Sequence, residues 1–199
     1  MQHTKRIGEP FTICIYCGSK TGNNPVDAAS AEQLGALLAR RDIRMVYGGG
    51  SIGLMGITAR AAMRAGGHVS GIITTHIDKL EAGLRELSIR HEEASMHARK
   101  MRMFEMSDGF IALPGGSGTL DEIAEILSWQ QLGLHQKPCA LLNNTHYWDP
   151  LMQMLNNMHA QGFLNASGRD YFRLAPSVEA AVDYIVEAAG RNSVSRAEA

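Results

Sequence analysis

Residues Phe110 to Glu122 read FIALPGGSGTLDE and contain the parts of an anion-binding site in the order in which such sites are built. A short apolar run ends at Pro114, and a glycine-rich segment follows it. Apolar residues then recur at helical spacing: Leu120, Ile123, Ile126 and Leu127. Glycines let the backbone approach a ligand closely, and the unpaired N–H groups of a first helical turn point towards it. The stretch therefore predicts a strand, an anion-binding loop and a helix.

Thr119 and Glu122 have the spacing of a capping box at the start of this helix. The Thr119 hydroxyl would accept a hydrogen bond from a backbone N–H of the first turn, and the Glu122 carboxylate would accept one from the Thr119 N–H. Glu122 therefore has two open roles at this point. It could serve only its own helix end, or it could be a charged group in a ligand site.

Strand-like and helix-like segments alternate along the chain. Phe11–Tyr16 and Arg44–Tyr47 are short apolar runs of the kind found in buried parallel strands, and each precedes a glycine-rich loop, CGSKTG or GGGSIG. This alternation predicts an α/β fold, a single domain with a doubly wound parallel sheet. Ligands bind at the C-terminal ends of such strands, so the three glycine-rich loops should converge on one cleft that suits a phosphate.

The other predicted elements complete this alternation. The predicted helices are about Val26–Arg41, Ile57–Ala65, Ser95–Met106, Pro150–Gln161 and Ser177–Ala189, and the further strands are His68–Ile73, Pro138–Leu142 and about Tyr171–Leu174. Residues 76–90 are predicted as loop and irregular helix. We expect a flexible N-terminus over residues 1–10, a nucleotide-binding catalytic domain over 11–189 and a disordered tail over 190–199.

Three glycines of the second loop, Gly48, Gly50 and Gly53, match the pattern G-x-G-x-x-G. A dinucleotide site also requires an acidic residue at the end of the next strand, where this chain has Thr74-Thr75-His76. The pattern therefore favours a mononucleotide or phosphoribose cleft over an NAD site. The alternative, that these glycines only permit tight packing of strand on helix, stays open.

Composition excludes several classes of protein. The 199 residues are 45% apolar and 20% charged, with a net charge of −1, which argues against nucleic acid as the main partner. No apolar run approaches the length of a membrane span, and the first residues lack a signal-peptide core. We expect a cytoplasmic protein with no membrane partner.

Cys14 and Cys17 are predicted to be buried structural thiols on opposite faces of a strand, not a redox pair.

The segment HEEASMHARKMRM carries the next candidate residues. Its two histidines are too far apart for a helical zinc motif, and no metal or other cofactor is predicted. Met96, Met103 and Met106 are spaced like a buried stripe. Arg99 falls on the same helical face, where a guanidinium needs an anion partner unless its side chain extends to solvent.

Several motifs together resemble one family over about Thr12 to Leu164. They are CGS after the first strand, YGGGSIGLMG, MHARK followed by Met103, SDGFIALPGGSGTLDE and WQQLGLHQKP. The chain resembles the LONELY GUY family of cytokinin riboside 5′-monophosphate phosphoribohydrolases, often mislabelled as lysine decarboxylases. The resemblance implies a Rossmann-like homodimer that hydrolyses the N-glycosidic bond of cytokinin riboside 5′-monophosphate, AMP or both. The products would be the free base and ribose 5-phosphate.

The resemblance also implies site residues. Arg99 and Glu122 fall on the family's catalytic pair. The implied substrate-binding residues are Glu81, Arg99, Lys100, Gly115, Gly116, Ser117, Gly118, Thr119, Leu120, Asp121, Glu122 and Ser128. The segment GIITTHIDKLE before Glu81 departs from the family's proline-containing pattern, which makes that assignment less secure. Ser128 stands where the family often has threonine.

The chemistry leaves alternatives open. Cleavage of a ribosyl–base bond builds positive charge on the sugar, which a carboxylate such as Glu122 can stabilise while it orients water. Arg99 could bind the phosphate or hold Glu122 ionised. A pyridoxal-dependent decarboxylase would need a Schiff-base lysine, for which Lys100 is the candidate near the cleft. A non-catalytic carrier of a nucleotide or phosphorylated cofactor would need the glycine-rich loops but not Arg99 and Glu122 together.

Overall fold

A computed structural model of the chain describes residues 10–81, 84 and 86–197. Within these residues, seven parallel strands form one sheet in the order β4-β3-β2-β1-β5-β6-β7. The strands are β1 (Thr12–Tyr16), β2 (Arg44–Tyr47), β3 (Val69–Thr74), β4 (Ile89–Glu93), β5 (Gly109–Ala112), β6 (Cys139–Leu142) and β7 (Arg173–Ala175). The helices are α1 (Pro25–Arg40), α2 (Gly53–Arg64), α3 (Thr75–Glu81), α4 (Met96–Met106), α5 (Ser117–Gln131), α6 (Asp149–Ala160), α7 (Gly168–Tyr171) and α8 (Val178–Ala197).

The centre of the sheet is the pair β1 and β5. Every residue of β1 is buried, and Ile13 pairs with Met45 on one side and with Gly109 on the other. Along the chain, the sheet grows from β1 towards β4 in one direction and from β5 towards β7 in the other. The loops that follow β1 and β5 therefore flank the topological switch point, which is where ligands bind in sheets of this kind.

Helices cover both faces of the sheet, as a doubly wound fold requires. One apolar core joins the sheet to α1, α2 and α8, and a second joins it to α4, α5 and α6. Cys17 belongs to the first core and Cys14 to the second. Both cysteines are buried and free, so the predicted alternation and their structural role are confirmed.

The predicted fold class is confirmed: the chain forms a single Rossmann-like domain with a doubly wound parallel sheet. The prediction missed β4, whose sequence IRHEE is polar and half-exposed because the strand pairs only with β3 at the sheet edge. It also missed α7, a single turn closed by a capping box between Ser167 and Asp170. α2 begins at Gly53, before the predicted start at Ile57.

Two further predictions need correction. α8 continues to Ala197 and so enters the segment 190–199 that was predicted as a disordered tail. Met96 is exposed, so the predicted buried methionine stripe is wrong at its first position, although Met103 is fully buried. None of the described helices is long and apolar enough to cross a membrane.

Candidate active site

The glycine loop, Gly115 to Thr119, forms the turn from β5 into α5. Gly116 is the N-cap of α5, with an extended backbone (φ −88°, ψ −157°), and no described side chain caps the helix. Gly116, Ser117 and Gly118 are exposed, and a methyl group at either glycine would meet no described atom within 4 Å. The N–H groups of a first helical turn have no carbonyl partner within their own helix. The loop therefore presents free backbone donors at an open surface, as an anion site requires.

The predicted capping box between Thr119 and Glu122 is wrong. α5 begins at Ser117, three residues earlier than a Thr119 cap predicts, because Gly116 is an acceptable N-cap. Thr119 is thus the third residue of the helix and is buried against Gly115. Glu122 lies one turn further into the helix, beyond the reach of the free N–H groups. Its role as a helix cap is excluded.

The three glycine-rich loops contact one another at the C-terminal edge of the sheet. The Gly18 N–H donates to the Pro114 carbonyl at 3.0 Å, and the Met55 N–H donates to the Gly18 carbonyl at 3.3 Å. Gly53 has a φ of +60°, and a side chain there would overlap the backbone of Ser19. The last glycine of the G-x-G-x-x-G pattern is therefore required for loop packing, the alternative that the sequence left open.

Arg99 is buried in the first turn of α4. The N-cap of this helix is Ser95, whose hydroxyl accepts a hydrogen bond from the Ala98 N–H at 3.1 Å. Nε of Arg99 donates to the Ile72 carbonyl at 2.9 Å, and Nη2 of Arg99 donates to the Gly48 carbonyl at 3.1 Å. Two backbone carbonyls, one within β3 and one just after β2, thus hold the guanidinium. The alternative of a side chain extended to solvent is excluded.

The anion partner that a buried guanidinium needs is Glu122. Nη1 of Arg99 lies 3.6 Å from Oε1 of Glu122, and the two side chains are only 8% and 12% exposed. Burial raises the pKa of Glu122 to about 7, although the charge of Arg99 opposes this shift. The carboxyl group therefore changes charge near neutral pH. In this arrangement Arg99 directs its donors to Glu122 and to two backbone carbonyls, not to the glycine loop.

Lys100, the next residue of α4, lies between two carboxylates of α5. Its Nζ is 3.0 Å from Oδ2 of Asp121 and 3.3 Å from Oε2 of Glu125. Burial alone would lower the pKa of Lys100, but the hydrogen bond to Asp121 and the charge of Glu125 outweigh burial and raise it. Arg99 and Lys100 therefore fasten α4 to α5 through adjacent ion pairs.

The remaining predicted site residues differ in position. Leu120 is exposed one residue after the glycine loop. Ser128 donates its hydroxyl to the Ala124 carbonyl at 2.8 Å, within its own helix. Six residues along an α-helix turn through about 240°, so Ser128 does not share the face of Glu122. Glu81 ends α3, and its side chain lies outside the described residues.

Tyr147 was missed by the sequence analysis. It lies in the loop between β6 and α6, and its hydroxyl donates to the Gly115 carbonyl at 2.5 Å. The available signal was topological, because every loop after a parallel strand lies at the same edge of the sheet. That loop contains no glycine and so carried no local sign of a ligand site.

Comparison with protein families identifies relatives that cover most of the chain. The model described as "Possible lysine decarboxylase" matches residues 55–185. A probable cytokinin riboside 5′-monophosphate phosphoribohydrolase, LOG4 of Oryza sativa subsp. japonica, is 40% identical over 182 residues, which are 92% of this chain and 79% of that protein. The cytokinin riboside 5′-monophosphate phosphoribohydrolase of Rhodococcoides fascians is 40% identical over 177 residues, covering 87% of this chain and 88% of the relative.

Solved structures share the fold. The Moco carrier protein of Chlamydomonas reinhardtii superposes with a TM-score of 0.72 at 18% identity and covers 92% of this chain and 99% of the carrier. The molybdenum cofactor binding protein of Rippkaea orientalis superposes with a TM-score of 0.68 at 26% identity. The match covers 90% of this chain and 98% of that protein.

Proposed function

The chain belongs to the LONELY GUY family of cytokinin riboside 5′-monophosphate phosphoribohydrolases, and on this premise we propose that it hydrolyses the N-glycosidic bond of nucleoside 5′-monophosphates. Its substrates are cytokinin riboside 5′-monophosphate, AMP or both, and its products are the free base and ribose 5-phosphate. The observation that carries the proposal is the buried Arg99–Glu122 ion pair on the helices beside the open glycine loop.

Each part of the site has a task in this reaction. The free N–H groups of the glycine loop bind the 5′-phosphate, and this remote binding energy positions the anomeric carbon. Water attacks that carbon, the carbon–nitrogen bond breaks, and its electron pair leaves with the base. The attacking water supplies a hydroxyl group to the sugar and a proton to the base. The Glu122 carboxylate stabilises the positive charge on the ribosyl group and orients the water.

Arg99 acts through Glu122 in this scheme. A carboxyl group with a pKa of about 7 is only partly ionised at neutral pH, and the guanidinium favours the ionised form. Removing Arg99 would raise the pKa of Glu122 further and would leave the carboxyl group neutral. The two backbone carbonyls that hold Arg99 keep its charge directed at Glu122.

A carrier function is the alternative from another class, because solved carriers of the molybdenum cofactor share this fold. A carrier requires a binding loop but no reactive carboxylate. Burial of an Arg–Glu pair is costly in free energy, and this chain places such a pair beside its loop. The presence of this ion pair therefore favours a hydrolase over a carrier.

Lysine decarboxylation, the reaction named in the description of the matching family model, fits this site poorly. A Schiff-base lysine must lose its proton to react, so it needs a lowered pKa. Lys100 instead contacts two carboxylates and has a raised pKa. The residues around Lys100 therefore do not fit a pyridoxal cofactor.

The test is a product assay. The protein is incubated with AMP and, separately, with a cytokinin riboside 5′-monophosphate, and the free base and ribose 5-phosphate are measured by chromatography. Equal amounts of base and ribose 5-phosphate from the wild type, but not from the Glu122→Gln variant, would support hydrolysis. Tight binding without turnover would support a carrier.

A further inference from the structure

We propose that Tyr147 is a positioning residue for phosphate binding, because its hydroxyl fixes the orientation of the Gly115–Gly116 peptide in the glycine loop. This inference rests on the proposed function in one respect, since it requires the glycine loop to bind the 5′-phosphate. The observation behind it is the hydrogen bond from the Tyr147 hydroxyl to the Gly115 carbonyl, 2.5 Å long.

The geometry of the peptide bond connects this contact to the ligand. The Gly115 carbonyl and the Gly116 N–H belong to one planar trans peptide, so they point in opposite directions. A donor that holds the carbonyl therefore also sets the direction of the N–H. Gly116 is the N-cap of α5, and its N–H is among the groups that an anion at this helix end can contact.

This peptide needs an external support. It joins two glycines, which have the widest choice of backbone conformation. No described side chain caps α5, and a methyl group on Gly116 would meet no described atom within 4 Å. On the Gly115 side, Thr119 and Gly18 limit the space around the Cα atom. The Tyr147 hydroxyl supplies that bond.

The loop that carries Tyr147 is itself anchored to α1. The Asn144 amide donates to the Ser30 hydroxyl at 2.8 Å, and the Thr145 hydroxyl donates to Oδ1 of Asp27 at 3.1 Å. These bonds connect the loop to a long helix that packs on the sheet, so the tyrosine approaches Gly115 from a fixed base.

The backbone beside Tyr147 is strained. His146 has a φ of +59°, a left-handed conformation that is uncommon for residues other than glycine. Such conformations persist where the surrounding structure determines them, and they cluster at functional sites. Next to His146, the Trp148 N–H donates to the side-chain oxygen of Asn143 at 2.8 Å and closes the turn. The loop thus holds a costly conformation while it presents the Tyr147 ring, half-exposed, to the glycine loop.

A purely structural role for Tyr147 is the competing explanation, because its ring also packs edge-on against Trp148, with the ring centroids 4.9 Å apart. The Tyr147→Phe variant separates the two explanations. It keeps the ring and the contact with Trp148 and removes only the hydroxyl. Tyr184→Phe, in α8, is the matched control, since it also removes one tyrosine hydroxyl but lies outside the site.

The experiment measures kcat and KM for AMP and the binding of inorganic phosphate by calorimetry. We expect Tyr147→Phe to raise both the KM for AMP and the Kd for phosphate by about three- to tenfold, the effect of one hydrogen bond, while kcat stays within about twofold. Tyr184→Phe should change none of the three. Unchanged KM and phosphate Kd in Tyr147→Phe, or a fall in kcat alone, would overturn the inference.

The two readouts keep this inference distinct from the proposed function. If the wild type binds phosphate but does not hydrolyse AMP, the proposed function fails, and weaker phosphate binding by Tyr147→Phe still supports the positioning role. If the wild type hydrolyses AMP and Tyr147→Phe behaves identically, the function stands and the positioning role fails. A wild type that does not bind phosphate would overturn the inference as well.

Discussion

Gly48 leaves the space that the guanidinium of Arg99 occupies. A Cβ atom at position 48 would overlap Nη2 of Arg99, and that same nitrogen donates to the Gly48 carbonyl at 3.1 Å. The backbone of Gly48 does not have the left-handed conformation that favours glycine. Gly48 is therefore needed for the space that it leaves. Its contact with Arg99 connects the glycine-rich loop after β2 to the ion pair between α4 and α5.

The first prediction follows from this contact. Gly48→Ala should fold, because alanine tolerates the backbone conformation, but its methyl group should displace Arg99 from the carbonyls and from Glu122. We expect kcat for AMP to fall by about ten- to a hundredfold, as when a transition-state partner is misplaced. Gly190→Ala is the control, since a methyl group there meets no described atom within 4 Å. A normal kcat in folded Gly48→Ala would mean that the site does not depend on this position of Arg99.

The second prediction concerns pH. The reaction requires ionised Glu122, and burial raises the pKa of this group to about 7. The ionised fraction increases as pH rises through the pKa, so kcat/KM for AMP should increase between pH 6 and pH 8, with a midpoint of about 7. The residual activity of Glu122→Gln should not show this increase with pH. A rate that is constant across the range would show that the charge of Glu122 is not needed.

The third prediction tests the phosphate site. A side chain at Gly116 would meet no described atom within 4 Å, and the φ of −88° is accessible to any residue. Gly116→Val should therefore fold normally, yet its side chain would stand where a phosphate approaches the helix end. We expect a steep rise in KM for AMP, and we expect adenosine to be a far poorer substrate than AMP for the wild type. Normal AMP binding by folded Gly116→Val, or equal turnover of AMP and adenosine, would place the phosphate elsewhere.

Features of the fold and site that have a local signal in the sequence could be predicted from it. The alternation of buried strands and helices predicts the fold because each element carries its own apolar pattern. The requirement for an anion partner at Arg99 follows from its apolar helical face. The prediction of a capping box was wrong. Thr119 and Glu122 have the right spacing for one, but glycine at position 116 allows the helix to begin earlier.

Other features have no local signal because they arise from tertiary contacts. The edge strand β4 has a polar sequence, since only one side of it pairs. Gly48 and Arg99 are 51 positions apart in the chain, and Tyr147 and Gly115 are 32 apart. A sequence window of the length of one helix or strand contains only one member of each pair. These residues become recognisable only after the sheet order brings the strand ends together.

The fourth prediction is a homodimer. Leu132 and Phe163, which follow α5 and α6, are 72% and 82% exposed, and Met96 and Leu120 are exposed on α4 and α5. Large apolar side chains this exposed would be covered in a subunit interface, and the family resemblance implies a homodimer. We expect light scattering at micromolar concentration to give twice the monomer mass of 21.6 kDa. A stable monomer under these conditions would contradict the prediction.

The fifth prediction is that Arg99 and Glu122 act as one unit. Glu122→Gln keeps the size of the side chain and removes the charge that faces the sugar, so kcat for AMP should fall by about a hundredfold or more. Arg99→Ala should cost a similar factor, because the buried carboxyl group would stay protonated without the charge of the guanidinium. The double variant should be little worse than the poorer single variant, since residues that act together are not additive.

Glu125→Gln is the matched control for this series. It makes the same substitution on the same helix, but Glu125 contacts Lys100, which keeps its bond to Asp121. We expect its kcat to stay within about threefold of the wild type, because Lys100 keeps its ion pair with Asp121 and the glutamine amide oxygen can still accept a hydrogen bond. Losses that multiply in the double variant would show that Arg99 and Glu122 act separately. A folded Glu122→Gln enzyme with nearly normal kcat would exclude Glu122 from the chemistry, and because its position in α5 already excludes a capping role, the ion pair with Arg99 would then be purely structural.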